Sequence, residues 1–460
     1  MEKGYKLKFT EKLAYGLSDF PEAANSILAA FLTMFYTENL GMAAAAVGTM
    51  FLVSKIFDGI SDILAGVLID KTRTRWGKAR PWLLWLAVPT GLALALIFFI
   101  PTGGSNTAKM IYAFVTYNLY TTVMFTITGI ARSSLLALST QDAGERGSMA
   151  SFGMFFGLGS TILGISAAFP MIFKLGGDLR AWRIVFILYG VIVTAGLLFG
   201  FFFSKEHVQS VAAATAKNGE TQKISFVESV KLFFTNRYLL IALVMTVLVN
   251  FVTQVSQSSQ TQFYKYTMKN PLLTTSLNLV SVLPILLGIV FLVGPCLAKF
   301  GKKKSMYIGI FGQIIGFGLK GIAGIMNSVP LLIAGTIVAG IVTGLLAVPV
   351  STLFADGIDY GEYKTNKRIE GMGSAITSFS QKISSGLALA SVGWILALTG
   401  FKDENHITSA VQGGTIFLYA WLPMIVLAVV FIFLLIFYHY EEIQEKVIRT
   451  LTERKAGKQA

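Results

Sequence analysis

A chain of 460 residues in which 54% are hydrophobic and 13% charged is too apolar for a soluble domain of its size, and reads as a polytopic membrane protein. Its formal charge of +14 comes from basic residues spread over loops of alternating sidedness, so no nucleic-acid partner is expected. Its single cysteine, Cys296, excludes an internal disulfide framework, and its histidines (His207, His406, His439) lie outside or at the ends of apolar segments, which leaves no enzyme site, haem or zinc centre inside the membrane and no expected cofactor.

In chain order, the charged N-terminus precedes an apolar segment without a convincing cleavage site, so the first span is expected to be retained. Apolar windows predict twelve helices, at 13–38, 46–69, 81–101, 110–139, 148–173, 182–203, 238–264, 274–297, 303–326, 329–355, 370–400 and 414–438. The expected fold is an all-α membrane protein of two six-helix halves, 1–203 and 237–438, with a linker at 204–236 and a tail at 439–460. The termini and even-numbered loops carry 27 Lys and Arg against 7 in the odd-numbered loops, which puts both termini, the linker and the tail in the cytoplasm. The expected home is the cell membrane. Ser225 and Glu228 have capping-box spacing before an amphipathic run to Phe234, and the tail suits either a short interfacial helix or a solvated extension.

The second span carries the most informative residues. Asp58 and Asp62 are four apart and Lys55 is three before Asp58, so all three lie on one helix face. An Asp at the centre of a membrane helix costs about 2.5–3.5 kcal/mol, so a pair of them calls for water, the protein interior, and a cation or proton. The alternative is a salt bridge with Lys55 that only joins helices. The loop that follows, from Asp70, holds five basic residues in the ten from Lys71 to Arg80.

Later spans add scattered polar groups. Arg132, about two turns before the cytoplasmic end of span 4, needs an anion, which Glu22 or an acidic substrate could supply. Tyr117 and Tyr120 on span 4 could lie against a sugar ring or simply pack. Asn250, Gln254, Gln257, Ser258 and Thr261 form one polar stripe on span 7, suited to sugar hydroxyls or to helix–helix adhesion. Lys320 is expected to snorkel from the far end of span 9. Lys382 lies about 18 Å into span 11, too deep to snorkel, and should face a cavity.

Gly66 to Gly77 is echoed by Gly294 to Gly301 at the equivalent loop of the second half. With twelve spans and a central linker, this resembles the major facilitator superfamily, whose halves rock about a central site. Tyr15-Gly16, the Asp58/Asp62 pair, Arg75-Trp76-Gly77-Lys78, Asp142-Ala-Gly-Glu145-Arg146 and Asp356-Gly-Ile-Asp359-Tyr360-Gly361-Glu362-Tyr363 narrow the resemblance. Over Lys12 to Tyr438 the chain resembles the glycoside-pentoside-hexuronide:cation symporters, the family of melibiose permease.

That resemblance implies that Asp58, Asp62 and Thr126 bind Na⁺ or H⁺, with Asp58 and Asp62 the metal ligands if sodium couples transport, and that Lys55 and Lys382 take part in coupling. It sets Glu22 at the family's span 1 sugar position. The remaining sugar positions fall on Gly129, Ser133 and Met154 and depart from the galactoside pattern, so the substrate candidates here are Glu22, Gly129, Arg132, Ser133, Asn250, Gln254, Ser378 and Lys382. Asp70, Arg73, Arg75 and Asp359 sit where cytoplasmic gate networks form in the superfamily. The expected function is cation-coupled symport of a sugar or glycoside, an acidic sugar included, by a monomer in the bilayer. The rivals are a symporter of amphipathic substrates and a sugar sensor that does not transport.

Overall fold

Long apolar runs punctuated by glycine, proline and capping side chains give a chain that is helical almost throughout. The computed structural model describes residues 6–140, 142–207, 226–365, 370–403 and 406–457. In the first part of the chain the helices are α1 (Phe9–Leu17), α2 (Phe20–Met34), α3 (Ala44–Lys71), α4 (Arg80–Trp85), α5 (Ala87–Leu96), α6 (Asn106–Asn118), α7 (Thr126–Ser139), α8 (Ala143–Lys174) and α9 (Leu179–Phe203). They continue with α10 (Phe226–Thr235), α11 (Arg237–Gln262), α12 (Leu273–Leu287), α13 (Gly294–Met326), α14 (Val329–Thr365), α15 (Glu370–Leu398), α16 (Ser409–Ile416), α17 (Leu422–Phe437) and α18 (Glu441–Gly457). π-Helical turns lie at Phe35–Asn39, Leu119–Phe125, Phe263–Thr267, Gly288–Val293 and Phe417–Trp421.

Side-chain caps set several starts. Asp142 accepts from Glu145 N at 2.8 Å, Asp178 from Ala181 N at 2.8 Å, and Asn236 from Tyr238 N at 3.0 Å. Each satisfies a backbone donor that a helix end would otherwise leave bare.

Among the described residues, eight helical stretches are long and apolar enough to cross a membrane, against the twelve expected. One of them, Leu273–Met326, covers the expected spans 8 and 9, and is broken where Gly301 adopts φ 75°, ψ 178°. α3 also has the length to cross, 28 residues, and carries Lys55, Asp58 and Asp62 within it. The third expected span is split at Leu86 into α4 and α5, and the first between α1 and α2 at Ser18–Asp19. The break in the first of these expected spans and the charges on α3 furnish the candidate site.

The chain packs as two compact units, one of Met1–Glu220 with Thr274–Ser276 and Lys402–His406, the other of Thr221–Leu273, Leu277–Phe401 and Ile407–Ala460. The first is cored by an aromatic stack in which Phe98 lies 3.8 Å from Phe186 and 4.7 Å from Phe35, ring centre to ring centre. The second buries Tyr238, Leu353, Leu427, Tyr438 and Tyr440 together. The tail helix α18 is docked rather than solvated, because Val447 and Leu451 are buried and Ile443 packs on that core. Most of the expected linker, including Ser225 of its capping box, lies outside the described residues.

The internal duplication is stronger in three dimensions than in the sequence. α2 and α11 each run into a Phe-Tyr π-turn, closed by Met42 N donating to Tyr36 O and by Asn270 N donating to Tyr264 O, both at 3.0 Å. Further along each unit, at Gly77 beyond α3 and at Gly301 within α13, a glycine with positive φ receives a glutamate from just beyond a long helix. Glu206 accepts from Lys78, Ala79 and Arg80 N, each at 2.9 Å, beside Gly77 at φ 109°. Glu441 accepts from Lys303 N at 2.8 Å beside Gly301. A side chain at either glycine would strain the backbone and crowd the carboxylate.

Candidate functional site

On α3 the three charges share one face as the spacing requires. Lys55 Nζ is 2.6 Å from Asp58 Oδ2, and Asp58 is 2% exposed. The opposite wall is the π-turn of span 4, a local widening that turns Thr122 inward. The Thr122 hydroxyl donates to Asp58 Oδ1 and lies 2.9 Å from Asn118 Oδ1. Asn118 Nδ2 donates to Ser54 Oγ and to Phe114 O, both at 2.8 Å, which turns its carbonyl oxygen toward Thr122. Thr126, one turn on, donates to Thr121 O at 3.2 Å, and its oxygen is 3.4 Å from Ser61 Oγ. Asp62 is half-buried at the next turn of α3 and is also engaged. Asp58, Lys55 and Thr126 thus belong to one polar cluster, in which Thr122 bonds Asp58 directly and Thr126 meets Ser61.

Arg132 does not pair with Glu22. Its Nη1 is 2.6 Å from Asp19 Oδ1, its Nε donates to Tyr15 O at 3.4 Å, and its guanidinium lies 4.4 Å from the Tyr15 ring centre. Asp19 occupies the break between α1 and α2, one helical turn before Glu22, and that break turns its carboxylate toward span 4. Glu22 is exposed. Two glycines of α8 make room for the pair: a Cβ at Gly153 would stand 2.7 Å from Arg132 Nη2, and one at Gly157 would overlap Asp19 Oδ2. Gly129 and Ser133 are exposed on α7, with the Ser133 hydroxyl donating to Ile130 O at 2.9 Å. Tyr120 is packed, its hydroxyl on Pro21 O at 3.0 Å, and Tyr117 lies with its ring centre 5.8 Å from Lys55 Nζ.

In the other unit, Asn250, Gln254 and Gln257 are half-buried on α11, while the Ser258 hydroxyl is spent on Gln254 O at 2.7 Å. On α15 Ser378 is exposed and Lys382 half-buried and engaged. Lys320 corrects the expectation of snorkelling. Only 8% exposed, it lies with Nζ 4.8 Å from the Phe317 ring centre and 5.2 Å from that of Tyr419, and its stem is pressed against Gly335. The aromatic faces hold the ammonium inside the bundle.

The model of the family described as MFS/sugar transport protein matches residues 14–442. The chain belongs to this family. It is 32% identical over 468 residues to the isoprimeverose transporter of Lactiplantibacillus pentosus, covering 98% of this chain and 93% of that one. It is 28% identical over 418 residues to the glucuronide carrier protein homolog of Escherichia coli (strain K12), covering 89% and 88%. Its fold matches that of a D-xylose-proton symporter with a TM-score of 0.64 at 16% identity, over 92% of this chain and 97% of that one. The protein is therefore a multi-pass major facilitator transporter and not an enzyme, and its relatives are of the glycoside-pentoside-hexuronide kind.

At the ends of the transporter's helices the expected gate residues are dispersed. Arg73 and Arg75 are exposed, Arg75 lying 4.6 Å from the Trp76 ring centre. Asp359 is half-buried and engaged, and the side chain of Asp70 lies outside the described set. The well-formed ion pair here is Asp356, whose two oxygens are both 2.8 Å from Lys302 Nζ. Asp356 stands in the same acidic motif as Asp359, and the alternation of buried and outward positions on α14 decides between them. Sequence reasoning also missed Asp19, Asn118, Thr122 and the Glu11–His207 contact at 2.7 Å. Asn118, Thr122 and Thr126 recur at spacings of four, a polar stripe on span 4 that was visible as a pattern. Asp19 carried no such signal apart from being an intramembrane carboxylate.

Proposed function

We propose that the protein is a cation-coupled symporter of a neutral glycoside, working by alternating access in the cell membrane with both termini in the cytoplasm. The observation that carries the substrate is the Asp19–Arg132 pair. Its charges already cancel, so the pair offers guanidinium donors beside carboxylate acceptors with no net charge. A donor next to an acceptor matches two neighbouring sugar hydroxyls, whereas a hexuronide would bring an anion beside a carboxylate. The name of the isoprimeverose transporter, a relative aligned over nearly the full chain, supports a glycoside.

Coupling is assigned to Asp58 and Asp62, with Thr126, Ser61 and Thr122 as further oxygens and Lys382 as a coupling charge. A buried and a half-buried carboxylate one turn apart on a membrane helix support a cation-dependent state. If cation and sugar favour the same occluded state, each tightens the other by one factor.

The test is uptake into proteoliposomes of a neutral disaccharide, a pentoside, a hexuronide and a sulfonated sugar, with Na⁺ and H⁺ gradients applied separately. Accumulation of neutral glycosides under one of the gradients is expected. Accumulation of the hexuronide alone would return Arg132 to the role of anion ligand.

A further inference from the structure

Both oxygens of Asp58 are already claimed. Oδ2 takes the Lys55 ammonium at 2.6 Å and Oδ1 takes the hydroxyl of Thr122. The Lys55 side chain is only 9% exposed, so its charge is not screened by bulk water. It is also tethered three residues away on the same helix face, so its local concentration at Asp58 far exceeds that of a dissolved ion. The far side of the carboxylate is held by a chain of contacts. Ser54 accepts from Asn118, which fixes the amide so that its oxygen faces Thr122, and Thr122, with one proton to give, is held between that oxygen and Asp58. A metal ion bridging Asp58 and Asp62 would need oxygen ligands in place of its water, and one of those oxygens is covered by an ammonium.

We propose that Lys55 is a resident, tethered cation that stands at Asp58 in place of a metal ion and selects against Na⁺ and Li⁺. Asn118 and Thr122 act as positioning residues that keep the carboxylate turned to it. This inference rests on the reading of Asp58 and Asp62 as the coupling site, and adds which ions that site refuses. It makes the Lys55–Asp58 contact a determinant of specificity and not merely a brace within α3.

The test is Na⁺ binding to the purified full-length protein in a choline buffer without sugar, followed by calorimetry, for the wild type, Lys55→Met, Lys55→Arg and the double variant Lys55→Met/Asp58→Asn. Lys55→Met is expected to bind Na⁺ at least about tenfold more tightly than the wild type. Lys55→Arg, which retains a tethered cation, should stay weak, and the double variant should lose the gain. Lys55→Gln replaces Lys55→Met if the latter does not fold. Equal or weaker Na⁺ binding once the lysine is removed overturns the proposal. Na⁺ binding is read without transport, so a wild type whose uptake ignores every ion gradient would count against the coupling reading alone.

Discussion

The glycines of α8 offer a way to move the Asp19–Arg132 pair without changing either charge. A methyl group at Gly157 would overlap Asp19 Oδ2 and stand 3.2 Å from its Cγ, so the carboxylate would have to withdraw from Arg132. Gly159, two residues along the same helix, has nothing within 4 Å of the equivalent position. Overpacking a well-filled contact costs about 1–3 kcal/mol. With Asp19 in the proposed sugar site, most of that cost should appear in binding, where it corresponds to a loss of about fivefold to 150-fold in affinity. Gly157→Ala is therefore expected to weaken equilibrium binding of a neutral glycoside within that range and to lower the thermal unfolding midpoint. Gly159→Ala should leave both where they are. Equilibrium binding and thermal unfolding, run side by side on the two variants, decide the matter. If Gly157→Ala and Gly159→Ala bind sugar equally well, the Asp19–Arg132 pair is not part of the substrate site.

Three further outcomes follow from the packing. Glu206→Ala removes the acceptor of three backbone N–H groups at a half-buried site, and should destabilise by about 1.5–3 kcal/mol, measured by thermal or denaturant unfolding. Glu441→Ala, its counterpart in the second unit, should cost less because it holds Lys303 N; a larger loss there than for Glu206→Ala would upset the comparison. Lys320→Met keeps the length of a buried side chain that has no carboxylate partner among the described residues and removes its charge, so the unfolding midpoint should rise, and a fall would mean that the ammonium is needed. Asn236→Ala deletes a cap on α11 together with a 2.7 Å bond to Gly357 O, and should lower stability by about 1–2 kcal/mol on the same assay, with no change meaning that the cap is replaced by water.

What could be read from the sequence is what depends on short spacings. Asp58, Asp62 and Lys55 face one another's side of α3 because three- and four-residue separations dictate it, and the apolar runs announce a helical membrane protein. The number of unbroken spans was harder to read, because α4–α5 and α1–α2 are broken within windows whose average is still apolar. Contacts between helices were not legible. Arg132 plainly needed an anion, but Glu22 and Asp19 lie one turn apart on the same segment, and only the break at Ser18–Asp19 settles which of them turns toward span 4. Thr126 was reached by resemblance, while the π-turn that brings Thr122 to Asp58 leaves no mark in the residue pattern. Lys320 shows the limit of hydropathy reasoning, since its distance from the helix end suggested an escape to the surface, whereas Phe317 and Tyr419 hold it within. The duplicated glycine loops were visible as a weak echo, and their shared glutamate latch was not, since Glu206 and Glu441 are remote in sequence from the loops they hold.

The central claim is that Asp58 and Asp62 join an ion gradient to sugar movement. The most direct measurement compares gradient-driven accumulation of a neutral glycoside with its gradient-free exchange, in proteoliposomes carrying the wild type, Asp58→Asn or Asp62→Asn. The account predicts that both variants still exchange sugar but no longer accumulate it under any ion gradient. Accumulation by both variants at the wild-type level would contradict it.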